Sequence, residues 1–149
     1  MRWIRIALMM VGVAGMLLVH GCSTKPEPLQ YGTDACHACK MTLADNRFGA
    51  ELVTRKGRVY KFDDLNCMLQ FYHAGENDPA DFAHKLVINY ESPGSFLSAD
   101  EAFYIKSDEI RSPMASKVAA FETYDIATAF KRKHGGIFLA WGEVTTQFK

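Results

Sequence analysis

The sequence predicts an α+β domain assembled from two similar small ββαβ lobes packed together. Three observations predict it. Runs of strand character flank two segments with helical apolar spacing, and each helical segment closes on glycine. Around those helices, Val59-x-x-Phe62-Asp63 matches Val118-x-x-Phe121-Glu122 at an offset of 59, and Phe71 matches Phe130. Residues 22–149, the part left after an apparent export leader, suffice for one compact domain but not for two full ones.

The elements follow in chain order. Gly49–Thr54 and Arg58–Phe62 read as two strands joined by a turn at Gly57. Asp63 or Asp64 caps a helix that runs through Leu65, Met68, Leu69, Phe71 and Tyr72 and stops at Gly75. A polar loop over 76–80 leads to a strand at His84–Tyr90 and a turn at Glu91–Gly94. The plan then repeats, with strands at Ala102–Lys106 and Lys117–Phe121 and a helix beginning at Glu122 or Thr123. That helix carries Ile126, Ala127, Ala129 and Phe130, and Gly135-Gly136 ends it. Ile137–Trp141 is the closing strand. Each lobe is too small to be stable alone, so the two must share a core.

The first 21 residues are an address rather than part of the fold. Arg2 and Arg5 precede an uncharged run over residues 6–19, which is short for a spanning helix. The run ends at Gly21-Cys22-Ser23, which resembles a bacterial lipobox, with cleavage before Cys22 and lipidation of its sulfur. By resemblance to known sorting signals, Ser23 favours the outer membrane over the inner. The alternative is an uncleaved membrane anchor, and either form of export leaves the body outside the cytoplasm, where it is expected to face the periplasm. Residues 22–33 contain Pro26 and Pro28 and read as a lipidated flexible tether, with the domain over 34–149. Lobe one then spans about 34–92 and lobe two about 93–149.

Composition narrows the function. With 48% hydrophobic and 23% charged residues the chain is a folding sequence, and its formal net charge of zero excludes a general nucleic-acid binder. No HExxH, GxSxG or glycine-rich phosphate loop is present, and nothing signals catalysis. Asp63-Asp64 lacks the alternating spacing of a calcium loop, so helix capping is its better account.

Sulfur carries the chemistry. Four of seven methionines lie in the leader, and Cys22 belongs to the lipid. The remainder falls in three groups, Cys36/Cys39/Met41, Cys67/Met68 and Met114. Alone, Cys36-x-x-Cys39 is a disulfide, a redox pair, or two ligands of a metal to which His37 and Cys67 can add. Met41 tilts the balance, because a thioether is a weak ligand for zinc and a good one for Cu(I). At i and i+2 of an extended segment, Cys39 and Met41 point the same way and can clamp a low-coordinate ion. Met68 reads as core, Cys67 as either a small buried hydrophobe or a cysteine able to pair with Cys36 or Cys39, and Met114 as core or ligand. His73 and His84 read as surface or core residues, and His134 as part of a helix C-terminus.

These residues sit in stretches that resemble the NosL family of lipoprotein accessory factors. The matching runs are Cys36-x-x-Cys39-x-Met41, Arg47–Glu51, and Gly57–Asp64 with Cys67-Met68. Ala99-x-x-Ala102-x-Tyr104-Ile105, Pro113-Met114, Val118-x-Ala120-Phe121 and Gly135-Gly136 with Trp141 complete them, in consistent order. The resemblance implies a non-enzymatic Cu(I) chaperone that supplies the copper centres of nitrous oxide reductase. It implies two homologous ββαβ lobes related to the organomercurial lyase fold. It carries the family's Cys-x-Met element onto Cys39 and Met41 and its Pro-Met element onto Met114, with Cys36, His37 and Cys67 as further candidates. The family often has glycine between Cys and Met, where this chain has Lys40. The partners implied are nitrous oxide reductase or its copper-handling maturation factors and, through the lipid, the membrane. The chain is expected to act as a monomer. Two other readings stand beside this one: a thiol–disulfide oxidoreductase using Cys36 and Cys39, and a lipoprotein interaction module without metal.

Overall fold

The computed structural model describes residues 23–75 and 78–148, so the segment read as a leader and Cys22, the expected site of lipidation, lie outside the described residues. Among the described residues the architecture is mixed: two antiparallel sheets and three α-helices.

In the first sheet, β1 (Ala50–Thr54) lies between β2 (Val59–Phe62) and β3 (Phe82–Ile88). Every residue of β1 is buried, so this central strand reads as a continuous run rather than an alternating one. β2 alternates, with Tyr60 and Phe62 buried and Val59 and Lys61 half-buried. Ala50 pairs with Phe62 on one side and with Val87 on the other. The edge strand β4 (Phe96–Ser98) pairs Leu86 with Ser98 and was not expected. Three residues are too few to show a period.

The helix α1 (Leu65–His73) starts where the sequence places it, and the structure chooses between the two aspartates. Asp64 is the cap, accepting the Asn66 amide at 3.0 Å, while Asp63 accepts the amide of Ala44 at 2.8 Å. Leu65, Cys67, Met68, Leu69 and Phe71 form its buried face. A short 3-10 turn (Pro79–Asp81), capped by Asp78, brings β3 in two residues earlier than the apolar run suggests.

In the second sheet, β5 (Phe103–Lys106) lies between β6 (Val118–Phe121) and β7 (Ile137–Leu139). The order strand–strand–helix–strand of β1–β2–α1–β3 recurs in β5–β6 with α2 (Tyr124–His134) and β7, and in both the first strand takes the centre. Thr123 caps α2, its hydroxyl accepting the Ile126 amide at 3.3 Å. The closing strand is shorter than expected. Trp141 does not extend it but begins α3 (Trp141–Gln147), because the Glu143 carboxylate accepts the Ala140 amide at 2.7 Å and starts a helical turn.

The sheets meet where Asn89 bridges Ala120 and the Tyr90 amide donates to the Ala120 carbonyl at 2.9 Å. One core runs through both, joining Cys36, Leu52, Phe62, Cys67 and Met68 to Tyr104, Val118, Leu139 and Val144. The segment read as a tether also touches the body. Leu29 and Tyr31 pack against this core, the Glu27 amide donates to Glu51 Oε1 at 3.0 Å, and Lys61 Nζ reaches the Pro28 carbonyl.

Candidate metal centre

Two elements far apart in the chain bring three cysteines together. The loop carrying Cys36 and Cys39 closes on itself through an isolated bridge between Ala35 and Thr42. Within it the Cys36 amide donates to the Met41 carbonyl at 2.8 Å, and the Lys40 amide donates to the Cys36 carbonyl at 3.0 Å. The His37 amide donates to the Lys61 carbonyl at 2.7 Å, which fixes the loop to the outer edge of β2. Cys67 arrives from the first turn of α1, which Asp64 caps.

The sulfurs of Cys36, Cys39 and Cys67 all lie within 4.8 Å of one another. At a metal–sulfur distance of about 2.3 Å, three thiolates around one ion stand about 4 Å apart. A small contraction of the group therefore encloses a soft ion. None of the three thiols is in a disulfide. Cys36 and Cys67 are buried, and Cys39 is half-buried at the rim.

The thiols are electrostatically unequal. The Cys67 thiol donates a hydrogen bond to the Cys36 sulfur, and the amides of Asp63 and Cys39 donate to it as well, so Cys36 is held well below the ordinary cysteine range despite its burial. Cys67 is pushed up, first by that same hydrogen bond and then by burial. Burial also pushes Cys39 up. Binding of a metal ion by thiolates releases whatever protons the thiols carry, so it is coupled to pH. Asp63 is pushed up by burial, with the Cys36 charge adding to the effect.

The other residues singled out in the sequence fall in different places. His37 stands edge-on to Tyr60 and Phe71, with ring centroids at 4.7 and 5.1 Å. Met41 is 49% exposed. The backbone between Cys39 and Met41 is not the extended segment the spacing implied. Lys40 adopts φ +65° in a tight turn, so simple alternation of side chains does not hold there. Met114 is half-buried against the core that contains Cys36 and Cys67. Met68 is fully buried, as expected of a core residue. His73 Nε2 lies 2.8 Å from the Thr145 carbonyl, and His134 Nδ1 lies 3.0 Å from Glu109.

Three features were not legible in the sequence. The Asp63 amide serves a sulfur, a role no side-chain pattern announces. Glu51 is wholly buried on β1, although its neighbours in sequence gave no sign of it. Asp64 and Asn66 both hold the backbone of Met114, although only the capping role of Asp64 can be read from the spacing.

A family model described as NosL matches residues 30–148. No curated protein matches the chain. Among solved structures, the chain is similar to one titled as the crystal structure of the copper chaperone NosL from Shewanella denitrificans. The two share 19% identity with a TM-score of 0.67, over 81% of this chain and 96% of the other. At that identity the likeness establishes the fold.

Proposed function

Because the chain belongs to the NosL family, we propose that it is a copper metallochaperone that binds Cu(I) through its sulfur cluster and delivers it for assembly of the copper centres of nitrous oxide reductase. The observation that carries this reading is the convergence of three cysteine sulfurs within 4.8 Å. Soft thiolate donors favour Cu(I), zinc and iron–sulfur clusters, and the methionine thioethers beside them, weak ligands for zinc, tilt the choice to Cu(I). Copper is the cargo, and the protein has no reaction of its own to perform.

The layout supports transfer. Cys36 and Cys67 form the buried floor of the cluster, and Cys39 stands at its rim with the exposed Met41 two residues on. A partner's thiolate or thioether can reach the ion from the rim and replace Cys39 before the buried ligands let go. Met41 and Met114 are the thioether candidates for the remaining coordination. On this reading the two sheets are two repeats of one ββαβ unit related to the organomercurial lyase fold. A lipid on Cys22 keeps the domain at the membrane on the periplasmic side, in the outer membrane rather than the inner.

The oxidoreductase reading fares less well on physical grounds. A reactive cysteine combines a lowered pKa with exposure. Here the lowered thiol, Cys36, is buried, and the accessible one, Cys39, is shifted upward.

Titration of the reduced full-length chain with Cu(I) against bicinchoninate tests the proposal. The expected result is binding that a variant carrying Cys39→Ser and Met41→Leu cannot match. Equal competition by wild type and variant overturns it. Transfer is then followed by mixing the loaded chain with copper-free nitrous oxide reductase and recording the absorption of its copper centres.

A further inference from the structure

The carboxylate of Asp64 has two tasks, on opposite sides. Its Oδ1 accepts the Asn66 amide and caps α1. Its Oδ2 accepts the Met114 amide at 2.8 Å and the Ser116 amide at 3.4 Å. Asn66, one residue before Cys67, completes the grip by donating from Nδ2 to the Met114 carbonyl at 3.0 Å. Both backbone groups of Met114 are therefore held by the first turn of the helix that carries Cys67. Asp64 is wholly buried, so these are hydrogen bonds to a carboxylate shielded from water.

The loop so held is under strain. Ala115 and Lys117 adopt φ values of +57° and +56°, a region that non-glycine residues avoid. Such backbone persists only where its surroundings over-determine it. Around these residues, Ser112 Oγ lies 3.0 Å from Ser116 Oγ and accepts the Lys117 amide at 3.0 Å. Met114 thus sits at the centre of a loop built into one conformation and fastened to the cysteine helix from a different sheet.

We propose that Asp64 and Asn66 are positioning residues for copper, setting the Met114 thioether over the three-cysteine cluster as its fourth sulfur. The inference rests on the copper-binding reading above. Neither residue touches the ion. Their effect passes through the Met114 backbone, and so it requires the Met114 side chain.

That requirement gives the test. Asp64→Asn keeps a good helix cap but replaces the acceptor facing Met114 with an NH2 group. Asn66→Ala removes the other half of the grip and leaves the cap untouched. Cu(I) affinity is measured on the full-length chain against bicinchoninate, for each variant with Met114 present and with Met114→Ala. The sulfur count at copper is read by X-ray absorption. Each variant is expected to weaken Cu(I) binding about tenfold, in the range seen for residues that orient metal ligands. It should also lower the sulfur count, and both effects should vanish in the Met114→Ala background. Weakening of equal size with and without Met114, or an unchanged sulfur count, overturns the positioning role while leaving copper binding intact. Absence of Cu(I) binding by the wild type overturns the copper reading and this role with it. Asn66→Ala, which spares the cap, decides the matter if Asp64→Asn does not fold.

Discussion

The thiol of Cys67 donates its hydrogen to the sulfur of Cys36, joining the first turn of α1 to a loop some thirty residues earlier in the chain. That bond stabilises one thiolate in the absence of metal, and it makes the two residues depend on each other. Replacing Cys67 by Ala is expected to raise the Cys36 pKa toward the ordinary cysteine value, read from thiolate ultraviolet absorbance across a pH titration. It should also weaken Cu(I) binding by at least about tenfold. An unchanged titration of Cys36 would contradict the hydrogen-bonded arrangement.

Lys40 occupies a left-handed position between Cys39 and Met41. Glycine adopts that conformation without steric cost, and a lysine there carries strain. Its ammonium donates to the His37 carbonyl, an exposed contact that offsets little of the strain. Lys40→Gly is expected to stabilise the fold by about 1 kcal/mol, measured as an upward shift of the urea midpoint. A downward shift would show that the hydrogen bond outweighs the backbone term.

Glu51 gives the fold a pH signature. Burial raises its pKa from 4.5 to about 7, against the partial relief of the Glu27 amide and the Lys61 charge. Its Oε2 has no hydrogen-bond partner. The folded state therefore binds a proton more tightly than the unfolded chain. The corresponding stability is fully present below pH 4.5 and is lost as the pH rises through about 7. The loss from this group is at most about 3 kcal/mol. Glu51→Gln keeps the acceptor for the Glu27 amide and should flatten the slope over that window while raising stability at neutral pH. Urea midpoints measured from pH 4 to 8 check this, and an unaltered slope in the variant would assign the effect to other groups.

Gly136 faces β5 at close quarters. Its φ is +103°, and a Cβ there would stand 2.9 Å from the Ser107 Cβ and closer still to the Lys106 carbonyl. Gly136→Ala is expected to cost about 3 kcal/mol, because backbone must move to admit the methyl group. Gly135→Ala should cost less, since a Cβ at Gly135 meets nothing within 4 Å and only the backbone conformation opposes it. Thermal unfolding of the two variants gives the order.

The sequence made some of this visible and hid the rest for definite reasons. The helices α1 and α2 were legible because Asp64 and Thr123 cap them and because their buried residues recur at helical spacing. The strands β1, β2, β5 and β6 were legible from β-branched and aromatic runs beside turn residues. β4 escaped because three residues carry no period, and α3 escaped because Trp141 continues an apolar run that a side-chain cap at Glu143 interrupts. Gly135-Gly136 reads as a helix stop, but the approach of Gly136 to β5 is a tertiary fact. At the site, the three cysteines could each be named as candidates, whereas their meeting could not be deduced. It depends on the His37 amide bonding to Lys61 on β2 and on α1 packing beside that strand.

The docking of Glu27, Leu29 and Tyr31 on the body has a mechanical consequence. With Cys22 lipidated as proposed, the leash that remains free runs only from Cys22 to Glu27. At no more than about 3.6 Å per residue, such a leash reaches less than about 20 Å from the bilayer. The cargo would then be confined to a thin layer against the membrane. Exchange would happen by lateral encounter with partners that come to that layer, at a local concentration set by the membrane area rather than by the volume of the compartment.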